Sequence, residues 1–287
     1  MTNQTLIFCV GAAKSGTSWL HDYLFDHDEV YLHRLKELHY FDVLDNGGST
    51  WHRRQLEARL ADVQARLAGL ERPEENKVLP TLITDIESWL EIFDGETSMD
   101  QAYLDYVGIG RSKAKVVGDF TPAYALLSEE MLTRMAALSD RVRFLFVMRE
   151  PVDRLWSNIR MNVGAKGEAA LESEVKKYLD EDQRELTMRS NYRRTLNRLQ
   201  SVLPPEALHL EYYERLFTQE AIDRICDFLG IAHKAAPFDK VVHKGRRAPL
   251  DDETRALLQA SLKPQYNHIE KLMGALPSEW TDRMVSA

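Results

Sequence analysis

Residues 11–18, GAAKSGTS, place two glycines, a lysine and three hydroxyl side chains directly after the apolar run LIFCV at 6–10. A strand that ends in such a loop and feeds a helix presents unpaired backbone N–H groups, and these with the helix dipole form an anion site. Gly16 lets a phosphate approach the backbone, Thr17 and Ser18 offer hydroxyl donors, and Lys14 supplies a point charge. The order differs from a Walker A loop, in which the lysine follows the second glycine; here Lys14 precedes Gly16. The alternative is an ordinary Gly-rich strand-to-helix turn with an exposed lysine.

A second constellation follows the apolar run RVRFLFVM at 141–148, which delivers Arg149 to the C-terminal edge of a sheet, where open α/β sheets bind ligands. Ser157 comes eight residues later, in the second turn of a helix that Pro151 is suited to begin. Guanidinium and hydroxyl are then placed to meet one further phosphate. The alternative is an N-terminal salt bridge and a surface serine.

The elements that must carry these groups are visible as a pattern. LIFCV reads as a buried strand, and TSWLHDYLFDH (17–27) has helical spacing of Trp19, Leu20, Tyr23 and Leu24. VYLH (30–33) is a brief strand, and RLKELHYFD (34–42) a loop. From about 46 to 113 the pattern turns helical, with a linker from Pro73 to Pro80 before TLITDIESWLEIF. Strand signals return in KVVGDF (115–120), RVRFLFVM and ALHLEYY (207–213), separated by helical stretches. This alternation predicts an α/β fold, a central parallel sheet flanked by helices, as one domain over 1–287 with a helical insertion at about 46–113.

Composition narrows the function. The 287 residues are 44% hydrophobic and 29% charged, the balance of a globular chain rather than a disordered or fibrous one. A net charge of −8 argues against a general nucleic-acid binder, so any anion site must be local. The Leu6 to Ala13 run is far shorter than the ~20 residues that span a bilayer, and no basic segment precedes it, so no transmembrane segment and a cytoplasmic location are expected. Cys9 and Cys226 stand far apart, outside any CxxC pair, and are expected in the core.

Taken together, KSGTS at 14–18, REPVDRLWS at 149–157 and HKGRRAPL at 243–250 resemble the sulfotransferases that use 3'-phosphoadenosine 5'-phosphosulfate (PAPS). KELHYFD at 36–42 and TPAY at 121–124 extend the similarity toward the glycan-sulfating branch. The resemblance implies a P-loop-type fold and a nucleotide site made of Lys14, Ser15, Gly16, Thr17, Ser18, Trp19, Arg149, Ser157, Tyr192, Lys244, Gly245 and Arg246. It implies PAPS as donor, no required metal, and a carbohydrate or small-molecule acceptor. That branch usually carries a lysine just before the Thr-Pro segment; Phe120 stands there, which argues against an acidic glycan acceptor.

Sulfuryl transfer, like phosphoryl transfer, is chiefly alignment and charge stabilisation with a base for the acceptor proton. Lys14 is placed to neutralise the leaving phosphate, and the family match makes Glu37 the base, with His39 in reserve and Asp42 in the same loop. In an extended loop residues 37 and 39 share a face, so both can address the acceptor. Two other readings stay open: a P-loop kinase or NTPase with a variant loop, using Asp119 for Mg²⁺, and a non-enzymatic nucleotide- or glycan-binding module.

Overall fold

The computed structural model describes residues 4–92, 100–110, 113–164, 166–180, 184–239 and 249–284. Its strands are β1 (Thr5–Gly11), β2 (Val30–Tyr31), β3 (Val116–Phe120), β4 (Val142–Met148) and β5 (Leu208–Tyr212). They form one parallel sheet in the order β2-β3-β1-β4-β5. Helix α1 (Thr17–Phe25) joins β1 to β2; α2 (Tyr40–Asn46), α3 (Ser49–Ala68), α4 (Val78–Ile92) and α5 (Asp100–Val107) run between β2 and β3; α6 (Glu129–Ala136) precedes β4. Between β4 and β5 lie α7 (Pro151–Val163), α8 (Glu168–Leu179), α9 (Arg184–Arg189) and α10 (Tyr192–Val202). After β5 come α11 (Tyr213–Leu216), α12 (Gln219–Leu229), α13 (Asp252–Met273) and α14 (Ser278–Thr281).

The sheet is covered on both faces, which is why its central strands read as unbroken apolar runs rather than alternating ones. Leu6, Phe8 and Val10 of β1 join Phe144, Phe146 and Met148 of β4 in a large core under α2 to α7, α10 and α13. Ile7 and Cys9 point the other way, with Leu145 and Val147, into a smaller core under α1 and α12. Both cysteines are buried and free. From β1 the chain moves toward the β2 edge, whereas from β4 it moves toward β5. This reversal opens a crevice at the C-terminal ends of β1 and β4, where ligands of such sheets bind.

Two local readings of the sequence are corrected here. The 34–42 stretch is a loop only to His39, because α2 starts at Tyr40. The linker also ends earlier than Pro80, since α4 begins at Val78. Asn76 Oδ1 accepts from the amides of Val78 and Leu79, and Pro80 falls in the first turn, where a missing N–H removes no helical hydrogen bond.

Candidate active site

The loop after β1 enters α1 through Gly16, the N-cap residue, at φ 80°. A Cβ there would lie 3.1 Å from both Leu216 and Tyr213, so φ and space both demand glycine. No side chain caps the first turn of α1, which leaves its amides directed at the crevice. Thr17 and Ser18 begin the helix there, Thr17 the more buried. Ser15, in contrast, is fully buried; its amide donates to the Ala12 carbonyl (3.2 Å), and its Oγ has no hydrogen-bond partner. Trp19 is likewise a packing residue, with Phe217 edge-on at 5.0 Å and Phe238 stacked at 5.7 Å.

Helix α7 is started by Glu150, whose carboxylate accepts from the amides of Val152 (3.2 Å) and Asp153 (2.7 Å), with Pro151 at the first position. Tyr266 and Arg255 of α13 bind the same carboxylate, and Arg255 also pairs with Asp153 at 2.6 Å. The helix is thereby fixed against α13, and Arg149 is held just before it. Tyr192 completes the anchorage: its hydroxyl donates to the Arg149 carbonyl (2.9 Å) and accepts from the Arg149 amide (3.1 Å). Tyr192 is 1% exposed and positions the Arg149 backbone from behind.

The two constellations meet. Arg149 Nη1 donates to the Lys14 carbonyl at 3.0 Å, and the guanidinium lies over the Tyr213 ring, 4.6 Å from its centroid. Arg149 Nε is buried with no hydrogen-bond partner. Lys14 is itself at φ 72°, and its ammonium reaches Met161 Sδ at 3.4 Å, one helical turn beyond half-buried Ser157. Partial burial, then Arg149, Arg160 and Arg154, hold the Lys14 pKa below the ordinary lysine value, against the opposite pull of Glu37.

Arg154 was not singled out from the sequence. It is 0% exposed, donates to Asn158 (3.3 Å) and Ser190 (2.6 Å), and pairs with no carboxylate among the described residues. The available signal was its spacing, three residues before Ser157 on the same face of one helix. A buried cation without a carboxylate adds positive potential to the crevice and favours an anionic ligand there. Lys244, Gly245 and Arg246 lie outside the described residues.

Across the crevice, the loop carrying Glu37 is not extended: Glu37 and His39 both adopt left-handed backbone, at φ 61° and 56°. Their side chains nevertheless meet, with His39 Nε2 3.7 Å from Glu37 Oε2 and His39 Nδ1 2.7 Å from Asp42 Oδ2. The loop is clamped from outside. Asp85 of α4 accepts from the amides of Arg34 (2.6 Å) and Leu35 (3.3 Å), Trp89 donates to the Leu38 carbonyl (3.2 Å), and Thr121 Oγ1 accepts from the Leu38 amide (3.0 Å). The Glu37 amide donates to the Phe120 carbonyl at 3.1 Å.

Charge follows from this arrangement. The Glu37 side chain is 54% accessible; pairing with His39, then the charges of Lys36 and Arg189, holds it below the usual carboxylate range against the opposing effect of desolvation. Partial burial alone would lower the His39 pKa, but Asp42 and Glu37 reverse this and push it up to about 9. Asp119 is different: at 2% exposure it accepts from Thr121 (2.7 Å), Tyr124 (2.8 Å) and Tyr103 (3.3 Å), and burial pushes it up to about 6. Its oxygens are committed to these hydroxyls, so it does not offer Mg²⁺ a carboxylate at the crevice.

A strand-loop-helix turn at the switch point of a parallel sheet, faced by a carboxylate on a separate loop, places the chain among the α/β folds with a parallel sheet covered by helices on both faces. The chain belongs to the sulfotransferase family, whose sequence model matches residues 7–235, and it is a sulfotransferase enzyme. Among solved structures, a sulfotransferase from Alicyclobacillus acidocaldarius is similar with a TM-score of 0.61 at 20% identity, covering 97% of this chain and 99% of that one. The sulfotransferase domain of the curacin biosynthetic pathway gives 0.51 at 21% identity over 82% and 76%. That of the Synechococcus PCC 7002 olefin synthase gives 0.50 at 15% over 90% and 94%. At these identities the likeness supports the fold. Comparison with curated proteins gives no match. Among the described residues no helix is long and apolar enough to cross a membrane.

Proposed function

We propose that the protein transfers the sulfuryl group of PAPS to a hydroxyl or amine of a carbohydrate or small-molecule acceptor, by in-line displacement with Glu37 as base. The observation that carries this reading is the contact of Arg149 Nη1 with the Lys14 carbonyl, which joins two anion sites in one crevice. A doubly phosphorylated adenosine needs two such sites, and a mononucleoside triphosphate needs one. The unpartnered Nε of Arg149 and the uncapped first turn of α1 fit phosphate at both ends.

In this reading Gly16, Thr17, Ser18 and Lys14 hold the 5'-phosphosulfate, while Arg149 and Ser157 hold the 3'-phosphate. The donor supplies the sulfuryl group as its sulfur–oxygen bond to the 5'-phosphate breaks. Lys14 stands where charge gathers on that departing oxygen. Glu37 takes the acceptor proton as the acceptor atom bonds to sulfur. His39 has one ring nitrogen on Asp42 and the other facing Glu37, so it orients the carboxylate rather than addressing the acceptor. Trp19 backs the exposed ring of Phe238 as an apolar wall for the adenine ring of the donor. Helices α3 to α5 are read as an insertion of the same domain, whose α4 secures the Glu37 loop. Phe120 is packed against His21 (5.3 Å), so that position gives an acidic acceptor no cation.

A kinase reading requires a carboxylate for Mg²⁺ at the crevice, and Asp119 is not available for it. Thermal stabilisation separates the two: 3'-phosphoadenosine 5'-phosphate is expected to raise Tm, with ADP plus Mg²⁺ giving little. The reverse ranking would overturn the reading.

A further inference from the structure

Beside the acceptor loop lies a side-chain cluster that extends beyond the groups orienting Glu37. His39 is the N-cap residue of α2, Asp42 sits in its first turn, and His52 in the first turn of α3. The intervening Gly47 and Gly48, both at left-handed φ (77° and 91°), turn α3 back so that the two helix starts stand together. One ligand atom from each of His39, Asp42 and His52 lies within 4.8 Å of the other two. The imidazole rings are 4.5 Å apart, centroid to centroid, and tilted by 34°. Asp42 Oδ2 is bonded to His39, but Asp42 Oδ1 is buried without a hydrogen-bond partner.

A buried carboxylate oxygen without a donor calls for a cation or water. Two imidazoles and one carboxylate are the donor set of late first-row divalent ions, whereas Mg²⁺ and Ca²⁺ prefer all-oxygen sites. Ligand atoms about 2.0–2.1 Å from such an ion stand about 3.4 Å apart in a tetrahedron, a separation these half-buried side chains reach by small χ rotations. Three protein ligands leave a fourth position for water.

We infer that His39, Asp42 and His52 form a binding site for one divalent cation of the Zn²⁺ class. Bound there, the ion replaces the His39–Asp42 hydrogen bond that holds the ring facing Glu37, and turning the ring toward the ion withdraws it from Glu37, so the site inhibits transfer instead of supporting it. This consequence, unlike the site itself, rests on Glu37 being the base.

The experiment compares wild type with His52→Ala, a residue outside the proposed catalytic machinery. Zn²⁺ titrated calorimetrically into wild type is expected to bind saturably at one equivalent per chain. Changes in groups that merely support ligands cost 10–100-fold in metal affinity, so removing a ligand is expected to cost at least about tenfold. Co²⁺ should quench the fluorescence of Trp51, which stands edge-on to His52 at 4.8 Å, and the quenching should vanish in His52→Ala. Matching far-UV circular dichroism and cooperative unfolding without metal report folding in both proteins. Equal Zn²⁺ affinity in the two, or no saturable binding to wild type, overturns the site. Saturable binding that leaves sulfuryl transfer undiminished upholds the site and overturns its link to Glu37.

Discussion

The two loops that face each other across the crevice are built in opposite ways. The loop at 14–18 takes its shape chiefly from backbone conformation, with Gly16 in the left-handed region, Ser15 bonded back to Ala12 and the Leu20 amide bonded to Gly16, and one distant side chain, Arg149, holds the Lys14 carbonyl. The loop at 34–39 takes its shape from side chains 50 to 83 residues away, those of Asp85, Trp89 and Thr121. A loop shaped chiefly by its own backbone suits a ligand with fixed chemistry, in the proposed reading the phosphates of the donor. A loop clamped by separate helices can be re-aimed by changes in those helices, which suits the partner that varies, the acceptor.

If the division is right, each loop can be damaged without the other. Replacing the base should have the largest effect: Glu37→Gln is expected to lower kcat by about 100-fold or more while nucleotide affinity stays near wild type. Normal turnover of that variant would remove Glu37 from the role. Gly16→Ala combines a close contact with strained φ, about 1–3 kcal/mol, so 3'-phosphoadenosine 5'-phosphate should bind roughly tenfold or more weakly by calorimetry. Asp85→Ala loosens only the clamped loop, with kcat expected to fall on the order of tenfold and nucleotide affinity unchanged. Parallel losses in both measurements would show the loops to be coupled.

The smallest effect concerns pH. Lys14 loses its proton below the ordinary lysine value, so nucleotide affinity should decline on the alkaline side earlier than an ordinary lysine would dictate. Lys14→Arg, which stays charged, should move that decline to higher pH in affinities measured from pH 7 to 10. An unchanged profile would show that the decline belongs to another group.

The same contrast explains what the sequence made legible. Strand, glycine loop and helix are neighbours in the chain, so the Lys14 to Ser18 segment and the α/β alternation could be read directly. Arg149 and Ser157 followed because one helix fixes their spacing. The Glu37 loop was placed by resemblance alone, and its left-handed residues carried no local mark because neither is glycine. That Tyr192 anchors the Arg149 backbone was not legible, and Arg154 went unnoticed. Their partners are Arg149 for Tyr192 and Ser190 for Arg154, 43 and 36 residues away along the chain, and no spacing rule conveys them.

The central claim is that the Lys14 loop and the Arg149–Ser157 pair grip two phosphates of one nucleotide. It is tested most directly by the affinities of 3'-phosphoadenosine 5'-phosphate and 5'-AMP for wild type, Lys14→Ala and Ser157→Ala. A hydrogen bond to a charged group is worth about 1.5–3 kcal/mol, so Ser157→Ala should weaken the bisphosphate roughly tenfold or more and leave 5'-AMP unchanged, while Lys14→Ala weakens both. Equal losses for the two ligands in Ser157→Ala, or none in either variant, would contradict the account.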